Sequence, residues 1–152
     1  MATVQSTEKV YLEDLSQGMV YESREYGLDV GQIHAFAQEF DPQPFHLDEE
    51  AARESLFGGL AASGWHTAAI TMKLLVESLP LAGGIIGASG EIAWPKPTRP
   101  GDVLRVVSTI MSVVPSRSKP DRGIVTVQSD TMNQHGDTCQ RFVARLVVFR
   151  RA

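Results

Sequence analysis

The sequence has 152 residues, which corresponds to one domain, since a domain typically holds roughly 100–200 residues. Lys and Arg number 14 against 18 Asp and Glu, and the resulting net charge of -4 excludes the domain-wide basic excess of a nucleic-acid-binding protein. The hydrophobic fraction of 43% is typical of a folded chain with its own core. The single cysteine, Cys139, excludes an intramolecular disulfide and a cysteine-rich metal site.

The first residues of the chain carry no sign of a targeting signal. Residues 1–10 lack a basic stretch followed by an apolar one, so we expect a flexible segment there and a cytoplasmic protein. Residues 55–72 are uncharged over a length at which a membrane-spanning helix is considered. Because Gly58, Gly59 and Gly64 interrupt this stretch, it is better interpreted as a loop followed by a buried helix, and we expect no membrane partner.

The first predicted elements are a short strand and a helix. Residues 19–28 contain the strand, and Asp29 with Gln32 three positions later forms a capping-box pattern at the start of the helix. Pro42 and Pro44 end this helix, because proline disfavours helical geometry in the residue before it. The apolar stripe of the helix follows at helical spacing: Ile33, Phe36, Ala37 and Phe40.

Two further helices are predicted before the middle of the chain. Asp48 is a candidate N-cap for a short helix that Gly58-Gly59 would end. Ser63 is a candidate N-cap for a longer helix over residues 64–79. We expect this longer helix to be buried nearly all round, because its first three turns carry little charge and many apolar residues: Ala68, Ala69, Met72, Leu75, Val76 and Leu79.

The second half of the chain has the two-residue periodicity of strands. Residues 115–123 and 133–137 are polar and predict hairpin loops. One sheet of four or five antiparallel strands must then cover the long helix, which predicts a single α+β domain over residues 1–152. The candidate strands are Ile85 to Ala93, Val103 to Val114, Ile124 to Met132 and Thr138 to Arg150.

A carboxylate and an imidazole lie five residues apart in a loop that contains two prolines. Such a pair, Asp41 and His46, can hold a water molecule and move protons to and from it. Five residues of straight polyproline II would span about 15 Å, so the loop must curve for the two groups to meet. The alternative is structural, with Asp41 capping a helix end or a turn and His46 packed in the loop.

The start of the long helix is a second candidate site. A helix N-terminus offers free N–H groups, and Gly64 would let a ligand carbonyl approach the backbone after Ser63. The alternative is plain N-capping by Ser63. In the proline-rich segment 94–104, Lys96 and Arg99 could contact phosphates, against the alternative that both are solvated loop charges.

A metal site is a weaker alternative. His46 and Asp48 with a distant His66 or His135 have the residue types of a two-histidine, one-carboxylate iron site. Asp48 is better explained as an N-cap, and His135 falls in a predicted hairpin loop. We therefore expect no metal.

Several of these segments together resemble the MaoC-like dehydratase family, which includes the (R)-specific enoyl-CoA hydratases. The resemblance runs from about Leu15 to Phe149 and is carried by an Asp-x4-His loop followed by a glycine-opened helix. The resemblance implies the hot-dog fold, in which a long antiparallel sheet wraps around a central helix, and a substrate that is an acyl-CoA thioester. The matching segments are Phe36-Ala37, Asp41-Pro42-Gln43-Pro44-Phe45-His46-Leu47-Asp48, Ala51-Ala52, Phe57-Gly58-Gly59, Ala62-Ser63-Gly64, and Pro97 to Leu104.

The resemblance also implies roles for particular residues. Asp41 and His46 correspond to the catalytic pair, and the backbone N–H of Gly64 corresponds to the donor to the thioester oxygen. No cofactor is implied beyond the coenzyme A that forms part of the substrate. The residues expected to contact substrate are Ser63, Met72, Lys96 and Arg99.

The chain departs from the family pattern at two positions. Family members often have asparagine between the catalytic residues, where this chain has Gln43. The best-known short-chain hydratases carry a serine about two turns into the central helix, where this chain has Met72. A flexible thioether would reshape the acyl pocket if Met72 faces it, and the alternative is that Met72 belongs to the core.

These observations predict a hydro-lyase that hydrates a trans-2-enoyl-CoA with (R) specificity or dehydrates a 3-hydroxyacyl-CoA. A hot-dog thioesterase is one alternative, but the helix offers only Glu77 as its carboxylate. A non-catalytic acyl-CoA-binding module is the other. A homodimer or dimer-based oligomer is expected, because the strand at 103–114 is apolar on both faces and one helix covers only one of them.

Overall fold

The computed structural model describes residues 3–4 and 8–152, which form one sheet packed against a long helix and three shorter helices. The sheet is built from β1 (Thr3–Val4), β2 (Val20–Glu22), β3 (Tyr26–Gly27), β4 (Ile86–Ala93), β5 (Val103–Pro115), β6 (Arg122–Met132) and β7 (Thr138–Phe149). The helices are α1 (Val30–Phe40), α2 (Pro44–Leu47), α3 (Glu49–Arg53) and α4 (Gly64–Ser78), and a 3₁₀ turn covers Leu12–Asp14.

The predicted α+β architecture is confirmed, with strand order β1-β2-β5-β6-β7-β4 and β3 paired separately with β5. The long strands β5, β6 and β7 follow one another as antiparallel hairpins. The loops between them fall where the polar segments predicted them. Among the described strands, β4 pairs only with β7 and forms one edge of the sheet.

Helix α4 lies across the sheet with one face buried. Its buried residues include the polar pair Thr67 and Thr71, whereas Met72 and Val76 are exposed on the opposite side. The expectation of a helix buried nearly all round is therefore wrong, because the single sheet covers only one side of it. The side chains that face inward are His66, Thr67, Ile70, Thr71, Leu74 and Leu75.

Two elements differ from the sequence prediction. The strand expected at 19–28 is divided into β2 and β3. At the division, the side chain of Ser23 takes the place of a backbone carbonyl in the hydrogen bonding to β5. The Ser23 hydroxyl accepts from the N–H of Val106 at 2.8 Å, and the Ser23 N–H donates to the Val106 carbonyl at 2.9 Å. The second helix, α3, ends at Arg53 instead of Gly58-Gly59, and the chain continues through turns to residue 59.

The segment expected to be flexible is partly built into the fold. Residues 1–2 and 5–7 lie outside the described residues, and Thr3–Val4 pairs with β2 in parallel. Val10 is buried, and its N–H donates to the carbonyl of Pro80 at 2.9 Å. Within the described part of the chain, no helix combines the length and the apolar character needed to cross a membrane.

Candidate active site

The loop after α1 bends so that Asp41 and His46 meet. The Asp29–Gln32 capping box starts α1, and the Asp41 N–H ends it by donating to the carbonyl of Ala37. Pro44 then opens α2, where its missing N–H has no cost and its fixed backbone angle suits a first helical turn. This turn, which the sequence did not predict, brings His46 Nε2 to 3.3 Å from Asp41 Oδ2.

The imidazole of His46 is buried and held in one orientation. Its Nδ1 lies 2.6 Å from the carbonyl oxygen of Ala61. Because a carbonyl can only accept, Nδ1 carries the hydrogen, and in the neutral ring Nε2 presents a lone pair to Asp41. Phe45 packs edge-on against the ring with the centroids 4.6 Å apart, and Phe57 packs beside it.

Both oxygens of the Asp41 carboxylate accept hydrogen bonds. Ser63 Oγ donates to Oδ2 at 2.7 Å, and Gln43 Nε2 donates to Oδ1 at 2.6 Å. Burial acts to raise the pKa of Asp41, but these hydrogen bonds and the neighbouring His46 outweigh it, so the pKa lies below its ordinary value. The carboxylate therefore stays ionised beside the imidazole of His46.

The start of α4 faces the same site. The Ser63 hydroxyl accepts from the N–H of Trp65 at 3.2 Å, so the predicted N-cap is present. Within the described residues the Gly64 N–H has no hydrogen-bond partner, as is usual at the first position of a helix. A Cβ on Gly64 would lie 2.7 Å from the indole ring of Trp94, so only glycine fits there without displacing the ring.

These groups open into one cavity of about 570 Å³. The cavity wall contains Asp41, His46 and Gly64, whose N–H is free among the described residues. Aromatic and proline side chains line much of the rest. A carbonyl and an adjacent reacting carbon can therefore lie within reach of both kinds of group. The lining residues are Asp41, Gln43, Phe45, His46, Leu56, Phe57, Ala62, Gly64, Trp65, Thr67, Trp94, Pro95, Lys96, Pro97, Thr98 and Arg99.

The two cations expected at phosphates have different environments. The Arg99 guanidinium donates to the carbonyls of Phe57, Gly59 and Leu60, so it is engaged in holding this part of the backbone. Lys96 is largely exposed at the cavity and forms an ion pair with Asp137 at 3.2 Å. Lys96 is therefore the better placed of the two to contact an anionic ligand.

Met72 lies outside this cavity, the candidate catalytic cavity. It lines a second cavity of about 510 Å³ between α4 and β4. Met72 is more than a third exposed, at 38%, so it is not a core residue of the isolated chain. The structure thus separates Met72 from Asp41, His46, Ser63 and Gly64, which it brings together.

The residues of the iron-site alternative do not converge. Over residues 3–4 and 8–152, no group of three histidine, cysteine, aspartate or glutamate side chains could hold a metal ion. Asp48 caps α3 by accepting from the N–H groups of Glu50 and Ala51. His66 stacks on Phe36 with the centroids 4.6 Å apart, and burial lowers the pKa of His66, which favours the neutral ring.

Sequence reasoning missed the groups that reach the cavity from distant parts of the chain. Trp94 and the Ala61 carbonyl are examples, since each depends on a contact between separate elements. The Trp-Pro sequence at 94–95 predicts a break after a strand, but it does not predict that the indole contacts the start of α4.

Comparison with known proteins places these features in a wider group. The family model described as MaoC like domain matches residues 14–133. The crystal structure of the MaoC-like dehydratase from Rhodospirillum rubrum is 63% identical and superposes with a TM-score of 0.93, over 94% of this chain and 99% of that one. The hot-dog fold expected from the sequence is thereby confirmed.

Two relatives are similar in sequence. An uncharacterized protein of Bacillus subtilis (strain 168), YdeM, is 34% identical over 125 residues, which is 81% of this chain and 87% of the relative. A 3-hydroxybutyryl-CoA dehydratase of Methylorubrum extorquens AM1 is 29% identical over 111 residues, which is 72% of this chain and 69% of the relative.

Proposed function

We propose that this chain, which belongs to the MaoC-like domain family, adds water with (R) specificity to a trans-2-enoyl-CoA or removes it from a (3R)-3-hydroxyacyl-CoA. The observation that carries the proposal is the pairing of Asp41 Oδ2 and His46 Nε2 at 3.3 Å inside a cavity. The dehydratase name of the Methylorubrum relative agrees with this chemistry.

The pair offers two acceptors to a single water molecule. The Nδ1 of His46 is bound to the Ala61 carbonyl, so the neutral form of the ring has its lone pair on Nε2, and a water beside the pair can then donate one hydrogen to Nε2 and one to the Asp41 carboxylate. In hydration, one proton passes from the water to the pair while the water oxygen bonds to C3 of the enoyl group. A proton from the pair then goes to C2, which returns both groups to their starting state. Dehydration is the reverse.

Gly64 supplies the complementary electrostatic group. As water adds to C3, negative charge develops on the thioester oxygen, and an N–H at the start of a helix is well placed to stabilise it. The Gly64 N–H is free for this contact among the described residues and lines the same cavity. Lys96 at the cavity would contact the phosphates of coenzyme A.

The arrangement favours hydration over thioester hydrolysis. Glu77, the carboxylate that α4 could offer, binds Arg24 at 2.8 Å and also pairs with Lys73, and it does not line the catalytic cavity. A simple binding module would need the cavity and Gly64 but would have no use for a buried acid–base pair.

The proposal predicts that both members of the pair are needed for turnover. Asp41→Asn and His46→Gln should each lower kcat for crotonyl-CoA hydration by at least ~10²-fold, the lower range for a positioned acid or base. Loss of absorbance of the enoyl thioester measures the rate, and circular dichroism checks folding. His135→Gln, in the exposed loop between β6 and β7, is the matched control and should retain full activity.

Full activity in either pair variant would reject the mechanism. Free coenzyme A released from saturated acyl-CoA by the wild-type protein, without enoyl turnover, would instead favour the thioesterase. Tight binding of acyl-CoA with no turnover of any enoyl-CoA would favour the binding module.

A further inference from the structure

The indole of Trp94 lies directly on the start of α4. Three of its ring carbons would lie within 2.9 Å of a Cβ built on Gly64. The ring therefore covers the helix beside the N–H that, under the proposed function, holds the thioester oxygen. Trp94 also lines the catalytic cavity.

Trp94 is 40% exposed, and a chain of hydrogen bonds that runs from its indole into the interior holds it in place. Trp94 Nε1 donates to Gln140 Oε1 at 2.9 Å, and Gln140 Nε2 donates to Thr71 Oγ1 at 3.0 Å. Thr71 is bonded in turn to Thr131 and to the carbonyl of Thr67. Gln140 is only 1% exposed, so its amide cannot exchange these partners for water without cost. The orientation of the indole is thus tied to α4 and β7.

The catalytic cavity and the second cavity meet at this point. Trp65 lines both of them and packs edge-on against Trp94 with the ring centroids 5.2 Å apart. Gln140, the hydrogen-bond partner of Trp94, lines the second cavity but not the first. Trp94 therefore stands between the reacting groups and a space of about 510 Å³, one side of which is formed by the small residues 87–90.

We propose that Trp94, held by Gln140, is the wall that limits the length of the acyl chain. This inference rests on the proposed function and adds a substrate class to it, namely short enoyl-CoA thioesters. A chain that extends from a thioester held at Gly64 toward α4 meets the indole before it reaches the second cavity. The second cavity is the space into which a longer chain extends once the indole is removed.

The test compares kcat/KM for trans-2-octenoyl-CoA with that for crotonyl-CoA. The wild-type protein should prefer crotonyl-CoA, and Trp94→Ala should raise the octenoyl-to-crotonyl ratio at least ~10-fold, as a change of a few methylenes in an apolar pocket can. Calorimetric Kd values for saturated octanoyl-CoA and butyryl-CoA should shift in the same direction, which gives a readout independent of turnover.

Two further variants keep the test decisive. Gln140→Met removes the acceptor of the indole N–H while keeping a long side chain, and it should raise the ratio less than Trp94→Ala does. If Trp94→Ala does not fold, the change in ratio caused by Gln140→Met still tests the proposal. Phe142→Ala enlarges only the second cavity, which Phe142 lines, so it should leave the ratio unchanged.

The possible failures are distinguishable. The role of Trp94 would be rejected, and the hydratase function kept, by either of two results. One is a wild-type protein that hydrates octenoyl-CoA as efficiently as crotonyl-CoA. The other is a wild-type octenoyl-to-crotonyl ratio in the Trp94 and Gln140 variants. A wild-type protein that hydrates no enoyl-CoA would reject the proposed function, and with it the role of Trp94 in limiting chain length.

Discussion

At the scale of single residues, the Ser63 hydroxyl has two partners that connect structure to chemistry. It accepts from the N–H of Trp65 at the start of α4 and donates to Oδ2 of Asp41. The same side chain thus stabilises a helix end and the charged form of the carboxylate. Gln43 makes the corresponding contact to Oδ1, so the glutamine between Asp41 and His46 reaches the carboxylate.

Ser63→Ala should therefore change both stability and pH dependence. Loss of the cap should lower the free energy of unfolding by about 0.5–2 kcal/mol. Loss of the hydrogen bond to the ionised carboxylate should raise the pKa of Asp41, so the acid limb of the kcat/KM profile should move to higher pH. Rates across pH and denaturant titrations measure the two effects.

The matched control is Ser78→Ala near the other end of the same helix, where the hydroxyl donates to the carbonyl of Leu74. It should leave the acid limb unmoved. An unmoved acid limb in Ser63→Ala as well would show that the Ser63 contact does not tune Asp41.

Met72 gives a second prediction at this scale. Because it lies in the second cavity and is partly exposed, Met72→Ser should leave the order of preference among short enoyl-CoA substrates unchanged. Its cost in stability should fall below the roughly 2–5 kcal/mol of a large-to-small core substitution. A reordered preference for crotonyl-CoA and hexenoyl-CoA would place Met72 in the acyl pocket after all.

At the scale of elements, the Arg99 guanidinium ties the segment before β5 to the turns after α3. The guanidinium donates to three carbonyls between residues 57 and 60. The backbone N–H of Arg99 donates to the carboxylate of Asp102. These turns carry Phe57, which packs beside His46. Arg99 therefore supports one wall of the site, whose cavity it also lines.

Arg99→Lys should destabilise the fold by about 1.5–3 kcal/mol, because lysine cannot reproduce a guanidinium that serves several carbonyls at once. Thermal or denaturant unfolding measures the loss. An Arg99→Lys protein with wild-type stability would show that these contacts contribute little.

Lys96→Ala is the contrasting variant, since Lys96 is exposed and forms a surface ion pair with Asp137. It should leave stability nearly unchanged and raise KM for the CoA thioester roughly 2–5-fold, which corresponds to a surface ion pair of up to about 1 kcal/mol.

At the scale of the whole molecule, the sheet has an exposed edge at β4. Seven of its eight residues are exposed, and Ile86 is 42% exposed. A strand at the edge of a sheet has one row of backbone groups available for pairing with another chain. On β5 the second apolar face is only partly exposed, since Val103 and Val107 are half-buried. The edge at β4 is therefore the better site for the expected homodimer.

We expect light scattering to give the mass of a dimer at micromolar concentration. Ile86→Lys should weaken it, because a lysine on an edge strand opposes pairing. Met111→Lys is the matched control, since Met111 is similarly exposed at 41% but lies on an interior strand, and it should leave the dimer intact. A monomeric wild-type protein would contradict this expectation.

The sequence predicted some elements better than others, because a pattern among neighbouring residues determines only local structure. The Asp29–Gln32 box and the alternation in β5, β6 and β7 involve residues close in the chain, and they predicted these elements to within two residues. The division between β2 and β3 was not predictable in this way. It depends on a hydrogen bond from Val106 to Ser23, across 83 residues.

The sequence alone therefore determined the α+β class, the helix caps and the residue types of the candidate site, because propensity, periodicity and capping act over a few positions. Only the tertiary structure decided which face of α4 is buried, that α2 turns His46 toward Asp41, and that Trp94 lies on Gly64. Each of these depends on how separate elements pack. Thr71 and Gln140 are buried despite their polar character, because they are hydrogen-bonded to each other. Further hydrogen bonds join Gln140 to Trp94, and Thr71 to Thr67 and Thr131.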